Sequence, residues 1–320
     1  MRRRLLLAGV LAAPAARAQG GYPDRPIRLV IPWPPGGTND IIGRLVTEGM
    51  AARLGQPVVI ENRGGAGGML GSEVVAKAPA DGHTLLLGGS GSLTITSLVQ
   101  ARLPYDVATA FAPIGMMAQG PNVIVVHPSV PATTLRELQA AARAAQPSLS
   151  YASPGVGSTG HAAGAMIAQA LEVEMDHIPY RGTGPALNDV LAGRVPVFTN
   201  ALAPMLPHVQ SGALRAIAIA GGRRSAALPA LPTTAEAGFP QIEASTWFAL
   251  LATGGTPPER VARLHAVLNE TLAEPELRRK LLDGGLEVEP SESPAAFEAY
   301  FAADRARWAP VVRRAGMRVE

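Results

Sequence analysis

The feature that most limits how this chain can fold is an order of elements that occurs twice. A short apolar run closes on a glycine-rich loop, a helical period follows, a second run and loop lead to a second helix, and a third run ends the series. The first copy reads "IRLVIPWPPGGTNDII…PVVIENRGGAGGMLGSEVVAK…HTLLLGG" and the second "SLSYASPGVGSTGHAAGAMIAQ…EMDHIPYRGTGPALNDVLAG…VPVFTN". Residue identity between the copies is low, so what repeats is the order rather than the residues. Strands alternating with helices predict α/β layers around a largely parallel sheet. Two such series predict two similar lobes, each with its glycine-rich loops at the carboxyl ends of its strands, where open α/β sheets bind ligands.

The 320 residues suit two domains, and 47% hydrophobic residues can fill two cores. Runs bounded by Gly, Pro, Asn or Asp predict strands over 27–32, 57–62, 83–89, 113–118, 122–128, 148–153, 174–180, 195–200, 214–221 and 245–252. Ile41, Leu45, Val46 and Met50 share one face of a helix that Gly55 stops, and Thr133 or Thr134 with Glu137 forms a capping-box pattern. Two long amphipathic helices lie near the C-terminus. The economical path starts in one lobe, crosses near Gln119–Asn122, builds the second lobe and returns near Glu243–Thr246. This divides the chain into lobe one, 24–121 plus 246–320, and lobe two, 122–245. The cleft between them is a natural site for a small molecule.

The N-terminus reads "MRRRLLLAGVLAAPAARAQG". Three arginines, a short apolar run and the small residues of "ARA" make residues 1–18 a secretory signal peptide cleaved after Ala18, by the general or the twin-arginine route. Removing its four arginines lowers the 28 basic residues to 24 against 25 acidic ones, a formal charge of −1. A nucleic-acid partner then has no electrostatic basis. The chain has no cysteine, which excludes disulfides, thiolate metal sites and a cysteine nucleophile. No later segment is long and apolar enough to span a bilayer.

Four loops carry the candidate chemistry. In "PPGGTNDIIGR", Pro34 and Pro35 set the backbone direction, Gly36 and Gly37 let it turn and let a ligand approach, and Thr38 or Asn39 can cap the helix. The first N–H groups of that helix lack internal partners and favour an anion. "PGVGSTGHAAG" is the counterpart in the second copy, with Ser158, Thr159 and His161. A Ser158–His161 nucleophile and base would make the protein an exported hydrolase or transferase, but the sequence lacks the G-x-S-x-G elbow and the two residues lie within one helical turn. "PYRGTGPALNDV" supplies Arg181, suited to a carboxylate or to an acid of its own chain, and Thr183. "GGSGSLTITS" supplies Ser90 and Ser92. No loop has the lysine of a P-loop or a dinucleotide fingerprint, and the six histidines are scattered, so no cofactor or metal site is expected.

These loops, together with "ADGHTLLLG", "LPYD", "FAPIG", "VVHPSVP", "LPTTAEAGFP" and "WFALLATGGTPPERVARLH", resemble the Bug-type substrate-binding proteins, the extracytoplasmic receptors of tripartite tricarboxylate transporters. The resemblance covers essentially all of the chain after the leader. It implies a type II-like, two-lobed periplasmic-binding-protein fold and a non-catalytic monomer in the periplasm that passes a small carboxylate to membrane permease subunits. It leaves open a sensor that docks to a receptor protein. Matched by position, the ligand-binding candidates are Gly36, Gly37, Thr38, Ser90, Ser158, Thr159, His161 and Arg181, with Thr183 and Asn200 as neighbours. Trp33 stands where the family more often has phenylalanine, Pro154 and Val156 where Ser and Asn are frequent, and Thr199 where an aspartate is frequent. Loss of that acid disfavours an amino-acid ligand and points to a plain carboxylic acid with an apolar body.

Overall fold

Each copy of the repeated order folds into the same local topology. The computed structural model describes residues 21–318, so the leader expected over 1–18 lies outside the described residues. The first copy forms β1 (Ile27–Ile31), α1 (Thr38–Leu54), β2 (Val58–Asn62), α2 (Met69–Ala76) and β3 (Thr84–Gly89), followed by the short α3 (Thr96–Val99). Next come β4 (Phe111–Val126) and α4 (Leu135–Ala144). The second copy forms β5 (Leu149–Ser153), α5 (Thr159–Leu171), β6 (Met175–Pro179), α6 (Thr183–Leu191) and β7 (Val197–Ala201). The rest of the chain adds α7 (Leu206–Gln210), β8 (Arg215–Ile219), β9 (Ser245–Thr253), α8 (Pro258–Leu272), α9 (Pro275–Asp283), β10 (Glu287–Val288) and α10 (Pro294–Arg314).

In the first copy the parallel order is β2-β1-β3, and in the second it is β6-β5-β7. Each parallel set meets an antiparallel neighbour at its third strand, β9 beside β3 and β4 beside β7. The matching order places the loops after β1, β3, β5 and β7 at corresponding ends of the two sets, facing one cleft.

The structure corrects one strand boundary. Gly120–Pro121 reads as a break between two strands, yet β4 is a single strand of 16 residues. Up to Pro121 it pairs with β9, and from Asn122 onward with β7 and β8. Proline is tolerated there because its carbonyl still takes the Leu202 N–H at 3.0 Å, while the amide it lacks is not needed. Gly120 suits the close packing there: a Cβ would lie 3.2 Å from both the Ala201 and Phe248 side chains. The long strand therefore joins the two sheets.

Helices cover both faces of both sheets. On α1 the buried stripe is Ile42, Val46, Met50 and Leu54, with Ile41 and Leu45 on its shoulder. The capping box of α4 forms as expected, with Thr134 Oγ1 accepting from the Glu137 N–H at 3.2 Å. The helix α10 touches both lobes. Phe297 and Phe301 pack edge-on to Trp247 in the first lobe, whereas Trp308 and Val312 pack among Ile95, Val99 and Ala162 in the second core. Between them, the buried Asp304 accepts from Thr94 Oγ1 at 2.8 Å and from the Trp247 indole N–H at 2.7 Å. Among the described residues no helix is long and apolar enough to cross a membrane.

Candidate functional site

Three helix starts converge on one small pocket in the cleft. Thr38 opens α1, Thr159 opens α5 and Thr183 opens α6; all three side chains are buried, and all three residues line the pocket. Trp33 and Gly91 add walls from the first lobe, Pro154 and Asn200 from the second, and Thr246 and Phe248 of β9 lie at the junction. Among the described residues no acidic or basic side chain lines this pocket.

The start of α1 is built without a side-chain cap. Its N-cap is Gly37, so neither Thr38 nor Asn39 plays the capping role that the sequence suggested. Asn39 instead donates from Nδ2 to the Leu87 carbonyl at 3.0 Å, which ties the helix to β3. Within the described residues, the N–H groups of Thr38 and Asn39 have no hydrogen-bond acceptor. The loop before the helix is held from below by Asp40. Its carboxylate accepts from the Gly36 N–H at 3.1 Å, from Arg44 at 3.0 and 3.2 Å, and from Asn62 Nδ2 at 3.2 Å. Asn62 also donates to the Trp33 carbonyl at 3.1 Å. Burial opposes the charge on Asp40, but the hydrogen bonds from Arg44, Gly36 and Asn62 outweigh it and hold the carboxyl below its usual range.

The start of α5 uses a side-chain cap. Ser158 Oγ accepts the His161 N–H at 3.1 Å and donates to the Gly155 carbonyl at 2.7 Å. The N–H groups of Thr159 and Gly160 are left without acceptors among the described residues. Thr159 Oγ1 meets Thr246 Oγ1 at 2.8 Å, and Thr246 donates to Asn122 Oδ1 at 3.1 Å. At α6, Asn200 Nδ2 donates to Thr183 Oγ1 at 3.0 Å, which orients both side chains. The two lobes are in contact around the pocket: a Cβ on Gly37 would lie 3.4 Å from Thr183 Oγ1, and one on Gly91 would lie 3.6 Å from Ser158 Cα.

Of the residues singled out in the sequence, Gly37, Thr38, Ser158, Thr159, Thr183 and Asn200 come together here. Four do not. Gly36 is the turning residue, with φ +87°, and its N–H is committed to Asp40. Ser90 is fully buried and its Oγ accepts the Trp247 N–H at 3.0 Å, so it supports the wall that Gly89 and Gly91 present. The His161 ring stacks on His177 at 3.9 Å, and His177 stacks on Tyr151 at 5.0 Å. Burial, helped by the neighbouring His177, lowers the His161 pKa to about 3, so the ring is neutral. Its one hydrogen bond with Ser158 is through the backbone, so the imidazole gives that hydroxyl no general base. The helical period carries this signal: two residues beyond Thr159 is a turn of about 200°, toward the far face of the helix. Arg181, the fourth, lines a separate outer chamber.

That outer chamber shares Trp33, Pro34 and Pro154 with the inner pocket. Trp33 therefore lines both spaces rather than packing beneath one. Thr199 is fully buried and lines neither. Thr246 and Phe248 carry no local signal, because only the pairing of β9 with β3 and β4 brings them to the site. Among the described residues no group of His, Asp or Glu is arranged to hold a metal ion.

The family described as the tripartite tricarboxylate transporter family receptor matches residues 42–317. The chain belongs to this receptor family. The receptor is 35% identical to the protein BugT of Bordetella pertussis, over 100% of its own length and 99% of that protein's. Its fold is that of the solved periplasmic binding protein BugD, with 33% identity, a TM-score of 0.88, and 93% and 100% of the two chains covered. A structure of R. palustris Rpa4515 with adipate is equally similar, at 35% identity and a TM-score of 0.89 over 93% and 99% of the two chains. The receptor is thus a two-lobed solute-binding protein of the periplasmic type.

Proposed function

We propose that the receptor holds one carboxylate of a small organic acid in the inner pocket, closes its lobes on it, and delivers it to the permease subunits of a tripartite tricarboxylate-type transporter. The observation that carries this reading is the convergence of three helix starts, each with a threonine at its first position, on a pocket that no acidic side chain among the described residues lines. An anion gains about 0.3–1 kcal/mol at one exposed helix start and up to ~2 where the site is partly buried. Donors from both lobes couple binding to closure, because only the closed form presents them together. Gly37, Thr38, Thr159, Thr183 and Asn200 form the binding surface, and Ser158 holds the second jaw in shape.

An ammonium group would find no counter-charge in this pocket, which favours a plain acid over an amino acid. Adipate, present in the R. palustris structure, belongs to that class. The receptor works as a monomer after export and loss of residues 1–18. Its lobes, 24–121 with 246–320 and 122–245, close about β4 and β9, with the end of α10 as a third connection.

The test is calorimetry and thermal unfolding of the mature protein with hexanoate, adipate, glutamate and lysine. Carboxylates without an ammonium should bind and stabilise the fold by RT ln(1 + [L]/Kd), about 2.7 kcal/mol at a hundredfold excess over Kd, with no turnover. Binding confined to zwitterionic amino acids would sink the reading.

A further inference from the structure

The chain changes lobe at more places than β4 and β9. After β3 it forms a π-helical segment, Ser90–Ile95, that runs into α3. Leu93 packs in the first lobe with Val30, Leu86 and Phe297, whereas Ile95 and Val99 pack in the second with Ala162 and Trp308. The switch therefore falls at Thr94. In α10 it falls between Phe301 of the first lobe and Trp308 of the second, and the polar residue buried in that interval is Asp304. The two switching points are bonded to each other: Thr94 Oγ1 donates to Asp304 Oδ2 at 2.8 Å, and both residues are buried. The same oxygen takes the Trp247 indole N–H from β9 at 2.7 Å, while Oδ1 accepts from the partly exposed Arg307 at 2.9 Å. Three of the connections between the lobes thus meet at one carboxylate.

That carboxylate stands directly behind the binding pocket. The π-helical segment begins at the pocket wall, which Gly89 and Gly91 line, and a Cβ on Gly91 would lie 3.6 Å from the Thr159 backbone nitrogen of the opposite jaw. Ser90, between the two glycines, accepts the Trp247 backbone N–H, so Trp247 is tied to the wall at one end and to Asp304 at the other. Turns of π type are rare and are found mostly at functional sites. Turning the lobes carries Ile95 and Trp308 with the second lobe and leaves Leu93 and Phe301 with the first, which bends both segments where they are bonded.

We propose that Asp304 is a positioning residue of the binding site, a hinge pin that keeps the π-helical segment, β9 and α10 in register as the lobes turn. The Gly89–Gly91 wall then meets the start of α5 in one orientation. Without the pin the donors of the two jaws remain, but they face the ligand together for a smaller share of the time, and apparent affinity falls by that share. Arg307 balances the carboxylate from outside and takes no part in the hinge. This inference rests on the reading of the receptor as a protein that closes its lobes on a ligand, and the two can fail separately.

The test places spin labels at Glu48→Cys on α1 and Gln169→Cys on α5, exposed positions in a chain with no cysteine of its own. Thr94→Val removes one donor at nearly constant shape, Asp304→Asn keeps the shape and one acceptor oxygen, and Arg307→Gln is the control. In the ligand-free receptor the interlobe distance distribution should broaden in Thr94→Val and Asp304→Asn and stay as it was in Arg307→Gln. With adipate as the probe, dissociation from Thr94→Val should quicken about tenfold, the scale of one hydrogen bond to a charged group, and association should change by less than about twofold. Lower melting temperatures with unchanged distances and unchanged adipate dissociation overturn the inference, because Asp304 would then serve the fold alone. Equal broadening in Arg307→Gln also overturns it, since the ion pair rather than the pin would set the angle. If adipate does not bind, the function proposed above loses its support, and the ligand-free distances still decide this inference.

Discussion

The starts of α1 and α5 face each other across the cleft and leave the same kind of backbone donor free, but they are held in different ways. In the first lobe the N-cap is a glycine without a side chain, and the loop is fixed by an ionised carboxylate four residues on, Asp40, which reaches back to Gly36. In the second lobe a serine caps the helix directly, and behind it stand two stacked neutral imidazoles. One jaw depends on a group staying charged, the other on groups staying uncharged. Duplicate topology thus does not impose duplicate chemistry: it dictates where helix starts point, while nearby side chains decide what keeps them there.

The largest expected effect separates the jaws by acid. His161 binds no proton in the native state until about pH 3, whereas the unfolded chain takes one up near its ordinary value of 6.5. Stability is therefore fully present above pH 6.5 and falls as pH drops from there to about 3, by about 1.4 kcal/mol per pH unit for this one group. The more exposed His177, lowered to about 4 by burial, adds less. Asp40 has the opposite kind of charge dependence: its contribution is intact above the usual carboxylate range and is lost only as pH falls through its lowered value. Urea unfolding at a series of pH values should show the loss beginning well above pH 5, and His161→Phe should flatten that slope. An unchanged slope in His161→Phe would break the contrast.

Asp40→Asn comes next. It leaves Arg44 unpaired and the Gly36 N–H poorly matched, with an expected loss of about 1–3 kcal/mol in stability. Ligand affinity should fall at least about tenfold as the loop loses its pre-set shape. Trp247 and Trp308 are each 1% exposed, so a change in iodide quenching would report on the loop through Trp33. Normal affinity with normal quenching would remove Asp40 as the device that holds the first jaw. Ser158→Ala should cost about 1 kcal/mol, the usual value of a lost N-cap, and weaken binding severalfold. The smallest effect is expected for Gly37→Ala. Its φ of −86° carries no strain and the added Cβ only reaches Thr183 Oγ1 at 3.4 Å, so stability should change by about 0.5 kcal/mol and affinity by no more than about twofold.

Much of the fold is legible in the chain because its signals are local. Gly, Pro and β-branched runs mark strand ends within a residue or two, and the Thr134–Glu137 pair announces the start of α4. The helix starts at Thr38, Thr159 and Thr183 are legible for the same reason. What misled the reading was also local: Gly120–Pro121 has the appearance of a break, but β4 passes through it because its partner strand changes there. Ser90 reads as a ligand contact from its place after β3, yet a distant backbone amide, that of Trp247, uses its hydroxyl.

By itself, then, the sequence determined the doubled order of strands and helices, the glycine-rich loops that end them, and the identity of the residues at the helix starts. Each of these follows from backbone preferences over a few residues, which distant parts of the chain do not alter. Only the tertiary structure decided that Thr246 and Phe248 complete the site, that His161 turns to His177, and that Arg181 belongs to an outer chamber lined by Trp33. Those outcomes depend on which remote segments meet, and burial and hydrogen bonding across that meeting leave one side chain neutral, another committed and a third free.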